Sequence, residues 1–210
     1  MTVGAVLFDF DGVLAESAEI KAWAFDKLYE DFPEAVRAGA RAHHAAHAGI
    51  SRLEKIRHVH RSFLGIEPSD GEVADWGRRY NALVEDAVVA APWVPGARVF
   101  VEAHHRGLPL YVVSGTPEDE LRRIAERRAM AHFFKGIFGS PRHKAPIIRD
   151  ILAAEGLAPG RVLFIGDATT DSTAAAATGL RFLGRVPPGA PNPFPPGTEI
   201  VPDLTGLSVA

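Results

Sequence analysis

Apolar positions along this chain follow two rhythms. Residues 3–8 form a continuous apolar run rich in β-forming side chains, which predicts a strand buried on both faces. Residues 110–113 and 161–165 repeat that run. Shorter runs at 136–138, 181–183 and 199–201 predict shorter strands, the last at a sheet edge. After the first run the period lengthens to that of a helix. Ile20, Trp23, Ala24 and Leu28 recur at helical spacing, and Pro33 suits the first turn of a second helix that stops at Gly49. Ser51 with Glu54 reads as a capping box for a third helix ending at Gly65. Ser69 with Glu72 reads as another for a fourth, closed by Pro92 and Pro95. From Gly96 onward strands and helices alternate. A helix at 99–105 stops at Gly107, Thr116 caps a helix with Pro117 in its first position, Lys144 starts another, and an Ala-rich helix ends at Gly179. Residues 187–197, dominated by Pro and Gly, read as an irregular loop.

This order predicts an α/β fold: a doubly wound, mostly parallel Rossmann-like sheet with helices on both faces and a block of helices inserted after the first strand. The expected division is a core of residues 1–15 and 93–210 and a helical insert of 16–92. Composition adds little beyond exclusions. The chain has 210 residues, 47% of them hydrophobic, so it can bury a core. A net charge of −3 gives no basic footprint for nucleic acid, and no apolar run reaches a membrane span. The absence of cysteine removes disulfides, cysteine-ligated zinc and thiol nucleophiles, and fits the cytoplasm. The strand pattern follows Met1 at once, so no secretory leader is expected.

Chemistry-bearing residues gather at the ends of the expected strands. Asp9 and Asp11 follow the first, Ser114-Gly115-Thr116 ends the second, and Asp167 and Asp171 follow the run at 161–165. Lys144 opens a helix able to reach the same edge. In an open parallel sheet that edge is where ligands bind. Adjacent carboxylates at a buried strand end are costly unless a cation neutralises them. Oxygen-only ligands favour a hard cation, above all Mg²⁺, which usually leaves positions to water and substrate phosphate. A lysine, a hydroxyl and backbone N–H groups at a turn suit a phosphoryl group. One carboxylate is then left as nucleophile and another as acid–base group.

Asp9-Phe10-Asp11-Gly12, Ser114-Gly115-Thr116, Lys144, and Gly166-Asp167 with Asp171 resemble, in order and spacing, the four motifs of the haloacid dehalogenase superfamily. The helical insert resembles the small cap of its phosphoglycolate-phosphatase-like and β-phosphoglucomutase-like members. The resemblance implies a Mg²⁺-dependent phosphatase acting on a small phosphorylated metabolite, such as a sugar phosphate, phosphoglycolate or a nucleotide. It implies Asp9 as nucleophile, Asp11 as acid and base, Ser114 and the Gly115 amide as phosphoryl holders, and Lys144 as the cation steadying both. It implies a metal held by Asp9, Asp167 and the main-chain carbonyl of Asp11, with Asp171 in an outer or water-mediated place. Asp11 argues against true dehalogenation, because dehalogenases of this superfamily lack that second acid. The alternatives are a phosphomutase with the same core chemistry and a non-catalytic binding protein on the same scaffold. Oligomeric state is not encoded in these motifs.

The segment Gly49-Ile50-Ser51-Arg52-Leu53-Glu54-Lys55 resembles the specificity segment of such caps. Arg52 reads either as a contact for a second anionic group of the substrate or as an exposed arginine in a first turn. Phosphonatases of the superfamily use a cap lysine, but Lys21, Lys27 and Lys55 have no decisive context, and Lys21 and Lys27 read as solvated surface. His43 and His47 are four apart, yet no third ligand is apparent, so His43, His44 and His47 read as solvent-facing, as does His143.

Overall fold

The computed structural model describes residues 3–209; Met1, Thr2 and Ala210, at the outer ends of the expected core segments, lie outside the described residues. Six strands form one sheet in the order β3-β2-β1-β4-β5-β6, and every neighbouring pair is parallel. They are β1 (Ala5–Phe8), β2 (Leu110–Pro117), β3 (Gly136–Ser140), β4 (Val162–Gly166), β5 (Arg181–Arg185) and β6 (Ile200–Val201). Helices α5 (Ala97–His104), α6 (Glu118–Arg127), α7 (Lys144–Glu155) and α8 (Thr169–Thr178) alternate with them. The chain moves from β1 outward through β2 and β3, then returns to start β4 on the other side of β1. The crevice at this reversal lies beside the carboxyl ends of β1, β2 and β4.

Alternation along β1 explains why all of it is apolar. Val6 and Phe8 join the cluster containing Phe100, Ile124 and Leu163, while Ala5 and Leu7 join the one containing Ile147, Ile148 and Phe164.

Between β1 and β2 run α1 (Ala18–Leu28), α2 (Glu34–Ala46), α3 (Arg52–Val59), continued by a π turn at His60–Leu64, and α4 (Asp70–Ala90). They pack on one another, and their buried Phe25, Tyr29, Ile56 and Tyr80 belong to the same apolar cluster as one face of the sheet. No helix among the described residues is long and apolar enough to cross a membrane.

Several local expectations are corrected. Trp23 is 54% exposed, and Phe25 takes the inward place, its ring set against Tyr29, His44 and Tyr80. Spacing alone did not locate the centre of α1's apolar face; aromatic partners from α2 and α4 did. The second helix ends at Ala46, before Gly49. Gly49 instead lies in the following loop with φ +81°, where a Cβ would fall 2.0 Å from Thr170 Oγ1 on the sheet side. Ser51 does cap α3, accepting from the Leu53 N–H, but Glu54 is exposed and makes no return bond. The box at Ser69 and Glu72 is complete. Pro117 precedes α6 as its cap residue rather than entering it, and Thr116 does not cap, because its hydroxyl is engaged with Asp11 and Lys21.

Candidate active site

The β1 strand delivers Asp9 into the interior, 3% exposed, where its Oδ1 accepts from the Phe10 N–H at 2.8 Å. Farther along, Gly12 takes φ +74°, and a Cβ there would lie 2.2 Å from Asp167 Oδ2. Glycine is therefore required both for the turn and for the approach of the β4 loop. The β2 end is irregular, its register against β3 shifting between Val113 and Pro117, which turns Ser114, Gly115 and Thr116 out of the regular ladder. A cavity of about 650 Å³, measured out to its mouth, opens there. Asp9, Asp11, Ser114, Gly115 and Asp167 line it from the sheet side.

Lys144, at the start of α7 and 6% exposed, reaches Asp9 Oδ2 at 3.3 Å and bonds to Asp171 Oδ1. Asp171 is fully buried, and its other oxygen accepts from the Ala168 N–H at 3.1 Å, fixing the start of α8. Carboxylate oxygens of Asp9, Asp167 and Asp171 all lie within 4.8 Å of one another. One lysine among three acids leaves an excess of negative charge in a buried space. Burial, outweighing Lys144 and aided by Asp171 and Asp11, pushes Asp9 up to about 7. Burial and the nearby Asp9 likewise raise Asp167 well above the usual carboxylate range. Lys144 is moved the other way from what burial alone would do: Asp171 and Asp9 hold it charged, above its ordinary value. An oxygen-only trio with surplus charge fits a hard divalent cation, and the residues present are suited to one.

Asp11 occupies a different environment. Ser17 Oγ donates to its Oδ1 at 2.6 Å, Thr116 Oγ1 donates to its Oδ2 at 3.1 Å, and the Lys21 ammonium bonds to the same Oδ2. Burial would raise Asp11, but Lys21 and these bonds hold it below the usual carboxylate range. Two acids of one strand end are thus driven in opposite directions by their surroundings.

The helical side of the cavity differs from expectation. Lys21 is not solvated surface; its side chain is 15% exposed and its Nζ also donates to Thr116 Oγ1 at 2.6 Å. Lys27 is exposed, as its sequence suggests, and pairs with Glu30. Arg52 is not exposed either. Its guanidinium is ion-paired with buried Glu120 of α6 and lies 5.0 Å from the Tyr80 ring centroid. His44 is not solvent-facing: it lines the cavity, packs against Phe25 with the ring planes tilted by 32°, and burial with Lys55 beside it lowers it to about 3. His43 lies between His47 and His58, with ring centroids 4.1 and 3.7 Å away, so of the three helix histidines only His47 is exposed. His143 is exposed. Sequence reasoning missed Glu120, Thr116 as a partner of Asp11, and Arg185. Buried Arg185 on β5 donates to the Gly12 carbonyl at 3.2 Å and to Glu16, holding the loop that carries Asp11.

Known proteins resemble the chain in both sequence and fold. The family model described as haloacid dehalogenase-like hydrolase matches residues 3–179. Phosphoglycolate phosphatase of Escherichia coli (strain K12) is 27% identical over 208 residues, covering 87% of this chain and 81% of that protein. A mutant of CbbY from Rhodobacter sphaeroides, in complex with xylulose-(1,5)bisphosphate, superposes with a TM-score of 0.75 at 21% identity, covering 98% of this chain and 96% of that one. The HAD-hydrolase YfnB from Bacillus subtilis, bound to magnesium, has a TM-score of 0.70 at 18% identity, with 98% and 96% covered.

Proposed function

This chain belongs to the haloacid dehalogenase-like hydrolase family, and on that premise we propose that it is a Mg²⁺-dependent phosphatase of small phosphomonoesters, working through an aspartyl-phosphate on Asp9. The observation that carries this reading is the meeting of Asp9, Asp11, Ser114 and Asp167 around one cavity, with Lys144 on Asp9. Relatives named phosphoglycolate phosphatase and a structural neighbour holding a sugar bisphosphate support the substrate class.

In this reading Ser114 Oγ and the Gly115 N–H hold the phosphoryl oxygens, and Lys144, 3.3 Å from Asp9 Oδ2, aligns Asp9 and opposes the burial that raises it. Asp9 attacks phosphorus, the bond to the alcohol oxygen breaks, and that oxygen takes a proton from the Asp11–Lys21 pair. Water then gives a proton back to the pair as it attacks phosphorus, releasing Asp9 and inorganic phosphate. Asp9 and Asp167, with the Asp11 main-chain carbonyl, would hold the divalent ion, and Asp171, bonded to Lys144 and the Ala168 N–H, would act from outside them or through water. When bound it supplies positive charge against the repulsion between carboxylate and phosphoryl oxygens. Residues 16–92 are read as a cap over a core of 1–15 and 93–210, shielding the reaction from bulk water.

The test is Asp9→Asn, which keeps the shape of the side chain while removing its nucleophilicity. Release of p-nitrophenol from p-nitrophenyl phosphate should fall by roughly three orders of magnitude with the circular dichroism spectrum unchanged. Undiminished turnover would end the reading.

A further inference from the structure

Four cations approach the cavity, and three are already answered by acids. Lys21 is paired with Asp11, Arg52 with Glu120, and Lys144 with Asp9 and Asp171. Lys55 on α3 differs. It is 4% exposed and lines the cavity, yet among the described residues no carboxylate lies within ion-pairing distance of it. Its Nζ has one partner, His44 Nδ1 at 3.3 Å. His44 stays neutral near pH 7, because burial holds it down to about 3. The bond then requires Nδ1 as acceptor with the imidazole proton on Nε2. An ammonium has three donors, so two remain unanswered.

We propose that the substrate carries a second anionic group besides the phosphoryl, and that Lys55, positioned by His44, receives it. This rests on the phosphatase reading above and narrows it from phosphomonoesters in general to doubly anionic ones. Burying a cation with no counter-charge is unfavourable unless a ligand supplies one. Burial lowers Lys55 to about 8, which leaves it charged at neutral pH. The acids of the site, Asp9, Asp11 and Asp167, line the sheet side of the same space and repel a second anion there. The α3 side is the remaining place for it. Arg52, the residue that sequence spacing favoured for this task, is committed to Glu120 across the gap between α3 and α6.

Carboxylates and phosphates share the required chemistry, so the experiment uses one matched pair for each. The first is 2-phosphoglycolate against 2-hydroxyethyl phosphate; the second is a pentose 1,5-bisphosphate against the pentose 5-phosphate. The readout is the ratio of kcat/KM within each pair, which cancels general damage to a variant. Wild type should favour the doubly anionic member of at least one pair by about tenfold or more, and Lys55→Met should bring that ratio to about one, as loss of a charge-assisted hydrogen bond predicts. Lys55→Gln replaces the Met variant if the latter does not fold. A wild-type ratio near one in both pairs, or a preference that survives loss of the ammonium, overturns the proposal. Absence of phosphate release from all four esters and from p-nitrophenyl phosphate would overturn the phosphatase reading itself, and this inference with it.

Discussion

Lys21 and Asp11 form an ion pair that joins the first helix after β1 to the strand end that carries the acids, with Thr116 Oγ1 accepting from the same ammonium at 2.6 Å. The pair keeps Asp11 anionic while its neighbour Asp9 is pushed the other way. In the proposed reaction this is the pair that gives a proton to the leaving alcohol and takes one from water.

Lys21→Met should therefore raise the pKa of Asp11, since the cation that holds it down is gone while burial remains. The kcat should fall by roughly 10²-fold, the low end of what a positioned acid–base group contributes. Turnover of p-nitrophenyl phosphate checks the loss, and a carboxyl ¹³C NMR titration of Asp11 checks the shift. An Asp11 pKa that does not rise would show that Lys21 has no hold on it.

Gly12→Ala tests the closeness of the β1 and β4 loops. The added methyl meets Asp167 Oδ2 at 2.2 Å and also faces a φ of +74°. About 1–3 kcal/mol of stability should be lost to backbone strain, and displacement of Asp167 should weaken Mg²⁺ binding. Urea unfolding and titration calorimetry with Mg²⁺ measure the two effects separately. Full affinity in the variant would mean that Asp167 does not contribute to holding the ion.

The acid trio makes stability depend on pH and metal together. Asp9 at about 7 and the raised Asp167 keep protons that the unfolded chain releases near pH 4. Between those values the folded state binds more protons, so in EDTA the protein should lose stability as pH rises from about 4 to about 7. Added Mg²⁺ competes with those protons, so its increase in Tm should be larger at pH 7.5 than at pH 5. Differential scanning fluorimetry over that range, with EDTA or Mg²⁺, gives the answer. A metal-induced increase that is equal at both pH values contradicts it.

Arg185→Met probes a support that touches no expected substrate atom. Removing the guanidinium leaves the Gly12 and Pro202 carbonyls and the Glu16 carboxylate without their donor. The loss should be about 3 kcal/mol, or roughly 6–12 °C in Tm for a chain of this size. Thermal unfolding checks the value. A shift within about 1 °C of wild type would show that water replaces these bonds at no cost.

How far the sequence alone reached depends on the range of each interaction. Asp9, Asp11 and Asp167 follow closely on apolar runs that are themselves the signature of buried strands, so a short stretch such as residues 3–12 encodes both the strand and the group it delivers. The apolar periods therefore determined the parallel α/β sheet and the helical block after its first strand. Together with strand-end chemistry they nominated Asp9, Asp11, Ser114, Lys144, Asp167 and Asp171. Lys21, Lys55 and Arg52 had no such local signature. A lysine on an amphipathic helix has the same neighbours in sequence whether it is solvated or buried. Lys21 finds Thr116 95 positions away, and Arg52 finds Glu120 68 positions away. Only packing of the helical segment against the sheet edge decided which cations are already paired and, among the described residues, left Lys55 with no carboxylate in ion-pairing distance, because Coulomb energy depends on distance in space and on loss of water, neither of which is written in spacing along the chain.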